Sequence, residues 1–222
     1  QKKESFSSGF NTIHTHARAG NLAAIEQFLK DGTRIDATSK SHETALYIAA
    51  LNGHMEVAEL LIRHGAVVQG KRPATPLHAA STGGHDGIVK LLLKHGADLE
   101  ARDEDQQTPL NAVLQVVDAG VDTRGVVNDT TRTTTVELLI NMGADVNARG
   151  GDDNYSPLHW AAMHGRSDIA QLLLDHGADP TSRCGPSASG TLTPLDLAIQ
   201  WCHDGLVEHM LMLGTDEQWC SS

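Results

Sequence analysis

Aromatic residues make up only 4% of this 222-residue chain: three Trp, two Tyr and three Phe. Its core must be built from Leu, Ile, Val and Ala. That predicts thin helix-on-helix layers and argues against a bulky centre around a deep enzyme pocket. Cysteine is scarce too. Cys184, Cys202 and Cys220 stand far apart and no CxxC occurs. An odd count without a pattern predicts a reduced, intracellular protein of the cytoplasm or nucleus. No apolar run is long enough for a secretory leader or a membrane span, so no membrane insertion is expected. The chain opens on Gln1 and not on methionine, which reads as a fragment of a longer protein or a processed one.

Positive charge is also short. Seventeen Lys and Arg face 28 Asp and Glu, for a net charge of −11. The imbalance is uneven: up to Glu100 the two signs nearly cancel, and beyond it only six arginines stand against a much larger acidic set. An acidic half excludes a nucleic-acid platform, because phosphate needs a basic face. It would steer a basic partner, or simply keep the chain in solution.

The usual signatures of chemistry are missing. There is no Gly-rich phosphate loop, no HExxH and no GxSxG. Cys184 and Cys202 have no His at a fixed spacing. His14 and His16 form an HxH, but residues two apart on a helix do not face one another. Asp103-Glu104-Asp105 and Asp152-Asp153 fall between helices, where they lack the burial that raises the pKa of a general acid. No catalytic residue, metal site or cofactor is predicted.

What the chain does have is repetition. In Ser156–Asp179, Ser156-Pro157 reads as a helix start, and Leu158, Ala161 and Ala162 give a short helix with a small-residue face. Gly165 ends it, Ile169, Leu172 and Leu173 recur at helical spacing, and Gly177 ends the second helix. One such helical hairpin cannot bury its apolar face alone. Copies begin at Thr44, Thr75, Thr108 and Thr193, with a degraded one at Asn11. From start to second glycine, five of the six (Asn11 to Gly32, Thr44 to Gly65, Thr75 to Gly96, Ser156 to Gly177, Thr193 to Gly214) span 21 positions.

The pattern TPLHxAAxxGH…LLLxHGAD resembles the ankyrin repeat, over roughly Asn11 to Glu217. The resemblance implies an all-α repeat solenoid of helix-turn-helix units with β-hairpin or loop fingers. The expected division is a flexible segment 1–10, a repeat domain 11–217 and a tail 218–222. Its repeats fall at about 11–41, 42–70, 71–104, 105–151, 152–190 and 191–217. Gln27 and His209 stand where the inner repeats carry Leu60, Leu91, Leu138 and Leu172, a polar substitution expected to solvate the two ends.

Departures from the pattern are informative. The finger between Gly65 and Thr75 is two residues short and contains Pro73, so it should be blunted. Repeat four carries 14 extra residues between its helices, read as an inserted loop at 121–133, with Thr134 and Glu137 as a capping box restarting the helix. Such an insertion is either a specificity element or a tolerated lengthening. Cys202 takes the place of the turn glycine in repeat six.

By resemblance, the TPLH histidines His14, His78 and His159 bond to backbone of neighbouring repeats. Partners would dock on the concave side made by finger tips and first helices. Mapped here, that side is richest in repeats four to six: Arg102, Glu104, Asp105, Gln107, Asp152, Asp153, Tyr155, Met163, His164 and Trp201. Trp160 is read as core and Trp201 as outward. The family also implies a candidate hydroxylation at Asn147, within Asp145-Val146-Asn147 and eight residues after Leu139. The expected function is a monomeric protein-binding scaffold, without catalysis of its own, engaging a basic segment of another protein. The alternative is a substrate-recruiting arm of a larger enzyme or signalling protein.

Overall fold

The computed structural model describes residues 12–70, 74–115, 129–185 and 192–213. The segment 1–10, residues 71–73 with Pro73, most of the insertion and the tail 218–222 lie outside them. Two compact units divide the chain, Gln1–Ala97 and Asp98–Ser222.

The first unit contains α1 (Ile13–Arg18), α2 (Leu22–Lys30), α3 (Ala45–Leu51), α4 (Met55–Arg63), α5 (Pro76–Thr82) and α6 (Asp86–Lys94). They pair as three antiparallel hairpins. First helices stack in one layer, α1 on α3 on α5, and second helices in another, α2 on α4 on α6. The second unit repeats the plan with α7 (Pro109–Gln115), α8 (Asp129–Asn141), α9 (Pro157–Met163), α10 (Ser167–Asp175), α11 (Pro194–Gln200) and α12 (Asp204–Leu213). Among the described residues extended structure is confined to isolated antiparallel bridges in the fingers: Thr38 with Thr44, Gly150 with Tyr155, and Cys184 with Leu192. The expected all-α repeat fold is what forms.

Capping explains the first helices. The hydroxyls of Thr44, Thr75 and Thr193 each accept the backbone N–H of the third helical residue. At Thr75 and Ser156 the reciprocal bond comes from histidine: His78 and His159 take the cap residue's N–H on Nδ1 at 3.3 and 3.2 Å. The first hairpin starts a residue later than its repeat position implies, with Thr12 as the cap.

Small residues then allow close stacking. The sixth position after the helix start holds Ala17, Ala50, Ser81 and Ala162, all fully buried, while the fourth hairpin buries the larger Leu114 there. In the last hairpin the same position is Ile199, which is 55% exposed.

Three expectations need correction. The insertion does not extend to Thr133, because α8 begins at Asp129. Asp129 sits in the first turn, its carboxylate is 2.9 Å from Arg132, and its carbonyl accepts the Thr133 hydroxyl. Thr134 therefore lies inside the helix, its hydroxyl donating back to the Thr131 carbonyl, and opens no capping box. The ends are also unequal. Gln27 is exposed, but His209 is half-buried and bonded to Gln171 of the preceding hairpin, so this position faces only the N-terminal neighbour.

Candidate protein-interaction surface

The finger face of the second unit is built on backbone bonds between successive hairpins. Arg102, Arg149 and Arg183 share one position in three consecutive fingers. Arg102 donates to the Gln106 carbonyl at 2.8 Å and to the carbonyl of Arg149, and Arg149 donates to that of Arg183 at 2.7 Å. At the tips, Gly151 N–H donates to the Asp105 carbonyl and Gly185 N–H to that of Asp153. Arg102 and Arg149 thus tie each finger to the next. Glu104, Asp105, Asp152 and Asp153 are all exposed.

A second set of links supports the helices. Asn111 donates from its side-chain amide to the Ala148 carbonyl at 2.9 Å, as His159 Nε2 does to Leu192 at 3.3 Å and His14 Nε2 to Ala37 at 2.8 Å. In His159, Nδ1 must accept and Nε2 must donate, which only the neutral ring can do. Burial adds to this and holds its pKa down at about 4. The residue after the turn supplies another link. His54, His85 and His203 reach the carbonyls of Arg18, Leu51 and Met163, and Arg166 reaches that of Leu114. Counting back from the second glycine, Arg132 holds this same position in the fourth hairpin, and it is fully buried. The insertion hid that register in the sequence.

The ten residues singled out for binding divide by placement. Arg102, Glu104, Asp105, Asp152, Asp153 and Trp201 are exposed, and Tyr155, Met163 and His164 are half-buried. Gln107 is only 1% exposed. Its side chain lies beneath Gly150 and Gly151, within 3 Å of where a Cβ on either would stand, so it supports the fingers and offers no contact surface. Trp160 is buried, as expected, and sets the aromatics around it. Tyr155 meets its ring edge-on at 4.9 Å, and His164 stacks on it at 6.1 Å. Burial and the nearby Asp153 carboxylate push the Tyr155 hydroxyl up, so it stays a donor. Cys184 is buried, and its thiol is pushed up in pKa by that burial, so it is a poor nucleophile.

Asn147 is committed on both ends of its amide: Nδ2 donates to the Gly177 carbonyl at 3.0 Å and Oδ1 accepts from Asp179 N–H at 2.8 Å. Among the described residues, no three His, Cys, Asp or Glu side chains converge as metal ligands would. No helix there is long and apolar enough to cross a membrane.

Sequence reasoning missed the apolar surface of the last hairpin. Besides Ile199, Leu211 and Met212 are 52% and 73% exposed. The signal was available: Met212 occupies the position that carries Lys30, Arg63, Lys94 and Asp175 elsewhere.

Comparison with known proteins places this geometry. Residues 13–103 and 127–218, well over half of the chain, match the family described as ankyrin repeats (3 copies). Palmitoyltransferase AKR1 of Lachancea kluyveri is 50% identical over 50 residues, 22% of this chain and 7% of that protein. Palmitoyltransferase ZDHHC13 of Homo sapiens is 52% identical over 46 residues, 21% of this chain and 7% of the relative. Protein fem-1 homolog C of Mus musculus is 46% identical over 63 residues, 28% and 10% of the two chains. The matched stretches thus span a tenth or less of these relatives.

Proposed function

This chain belongs to the ankyrin-repeat family, whose general role is protein binding, and on that premise we propose that the finger and first-helix face of its second unit binds a basic segment of another protein. The observation that carries the reading is the row of exposed carboxylates, Glu104, Asp105, Asp152 and Asp153, held on fingers that are bonded to one another. Fixed fingers lose little entropy on binding. Tyr155, Met163, His164 and Trp201 supply aromatic and apolar contact beside them, and such anchors carry most of the energy of an interface. Reversing the four carboxylates to lysine should weaken partner capture and abolish its salt dependence. Unchanged capture at both low and high salt would refute the assignment.

The repeat domain binds and does not itself catalyse. A second reading concerns the whole protein: a substrate-recruiting arm of a larger enzyme. The short matches to much longer proteins named palmitoyltransferases favour it. A parent reading frame that extends into a catalytic domain would establish it, and a frame of repeats alone would dismiss it. Asn147 is a candidate for asparaginyl hydroxylation within the same domain. Mass spectrometry after co-expression with such a hydroxylase tests this, and an unmodified Asn147 would reject it.

A further inference from the structure

The last hairpin carries the packing residues of an inner one on an exposed side. Four positions lose burial there and stay apolar. On α11 they are Leu195 and Ile199. Leu195 is half-buried where Leu46, Leu77, Leu110 and Leu158 are at most 1% exposed, and Ile199 is exposed where its equivalents are fully buried. On α12 they are Val207 and Leu211. Val207 is half-buried where Ile25, Ala58, Val89, Val136 and Ala170 are fully buried, and Leu211 is exposed where its equivalents are half-buried or buried.

Each pair stands four residues apart, so each forms a row along its helix. The two helices pack against one another, and their rows border a groove. A further row on α12, Asp204, Glu208 and Met212, flanks Val207 and Leu211, and all three are exposed. Among the described residues neither Asp204 nor Glu208 makes an ion pair. The other polar groups of the hairpin are committed. Asp196 accepts the Thr193 N–H and hydroxyl at 2.8 Å, His203 reaches the Met163 carbonyl and His209 bonds Gln171. Arg183 is the last Lys or Arg in the sequence, and the Asp and Glu that follow it have no basic counterpart but two histidines.

We propose that this end face receives an amphipathic helix of a partner protein, apolar along one side and carrying Lys or Arg beside it. The apolar side seats in the groove between the two rows, as helix ridges seat in grooves. The basic residues meet Asp204 and Glu208. A second copy of this chain fits less well, because two such faces would set acid against acid. The face shares no residue with the finger surface of the same unit and does not depend on that reading.

Amide-resolved NMR on the full ¹⁵N-labelled chain tests it. Three synthetic peptides are titrated: one of Leu and Lys with Leu at i, i+3, i+4 and i+7, the same residues scrambled, and the first order with Glu for Lys. The first should shift the Ile199, Val207 and Leu211 amides saturably. The scrambled peptide should bind about tenfold more weakly and the Glu peptide not measurably. Asp204→Lys with Glu208→Lys should weaken the first peptide about fivefold and let the Glu peptide bind. Ile199→Ser with Leu211→Ser, both at exposed side chains, should weaken the first about tenfold. No saturable shift at these amides, equal binding of the scrambled peptide, or affinity unchanged in either double variant would overturn the proposal. So would shifts of the same amides on concentrating the chain alone, which would give the face to a second copy. Shifts confined to residues 102–106 and 151–155 would overturn it and leave the finger reading intact.

Discussion

The ring of His203 fills the space that a side chain on Gly165 would need: a Cβ there would lie 2.4 Å from its Nδ1. Its Nε2 meanwhile lies 3.0 Å from the Met163 carbonyl. Gly165 also has φ +66°, so one glycine answers two demands, a left-handed turn and a neighbour's imidazole. Gly177 has φ +85° and nothing within 4 Å of its would-be Cβ. Gly177→Ala should therefore cost about 1 kcal/mol for backbone strain alone, and Gly165→Ala about 2–4 kcal/mol because packing is disturbed as well. Urea unfolding of the two variants decides it, and equal losses would contradict the packing argument.

Acid should loosen the second unit through His159. Its folded pKa of about 4 lies below the model-compound value of 6.5. Between those values the unfolded chain binds the extra proton, so stability rises with pH across the window. The contribution, up to about 3 kcal/mol, is complete above pH 6.5 and is lost as pH falls to 4. Asn111 holds the same position in the preceding hairpin and bonds the next finger without titrating. His159→Asn should flatten stability between pH 4 and 6.5, leaving a smaller slope from His85, whose pKa burial also lowers. Thermal melts across that range give the test, and an unchanged slope would disprove it.

Two of the chain's three tryptophans, Trp160 and Trp201, should behave oppositely. Trp160 is 9% exposed and Trp201 56% exposed. Trp160→Ala should cost about 3–5 kcal/mol, while Trp201→Ala should leave stability within about 0.5 kcal/mol. The Trp160 indole N–H is buried without a partner among the described residues. Trp160→Phe should therefore be far milder than Trp160→Ala, since it removes an unsatisfied donor with part of the ring. Chemical denaturation of the three variants checks the order.

Most of the fold was legible because each hairpin writes the same marks: a capping hydroxyl, a proline, small residues and a glycine at fixed spacing. Cys202 was read as a left-handed turn residue from its place in that pattern, and its φ is +57°. Where the pattern slipped, so did the reading. Arg132 was lost in a presumed loop because 14 inserted residues displaced it from its turn. Gln107 was assigned to the surface from its finger position, but burial of a finger residue depends on the next finger, here the glycines 150 and 151, and no local spacing records that.

The binding face itself is tested most directly by hydrogen–deuterium exchange of the chain with and without a partner recovered by affinity capture. Slowed exchange should concentrate in residues 102–106, 151–155 and α9, at the finger tips and first helix of the second unit. Protection confined to α8, α10 and α12, with the fingers unchanged, would contradict the account.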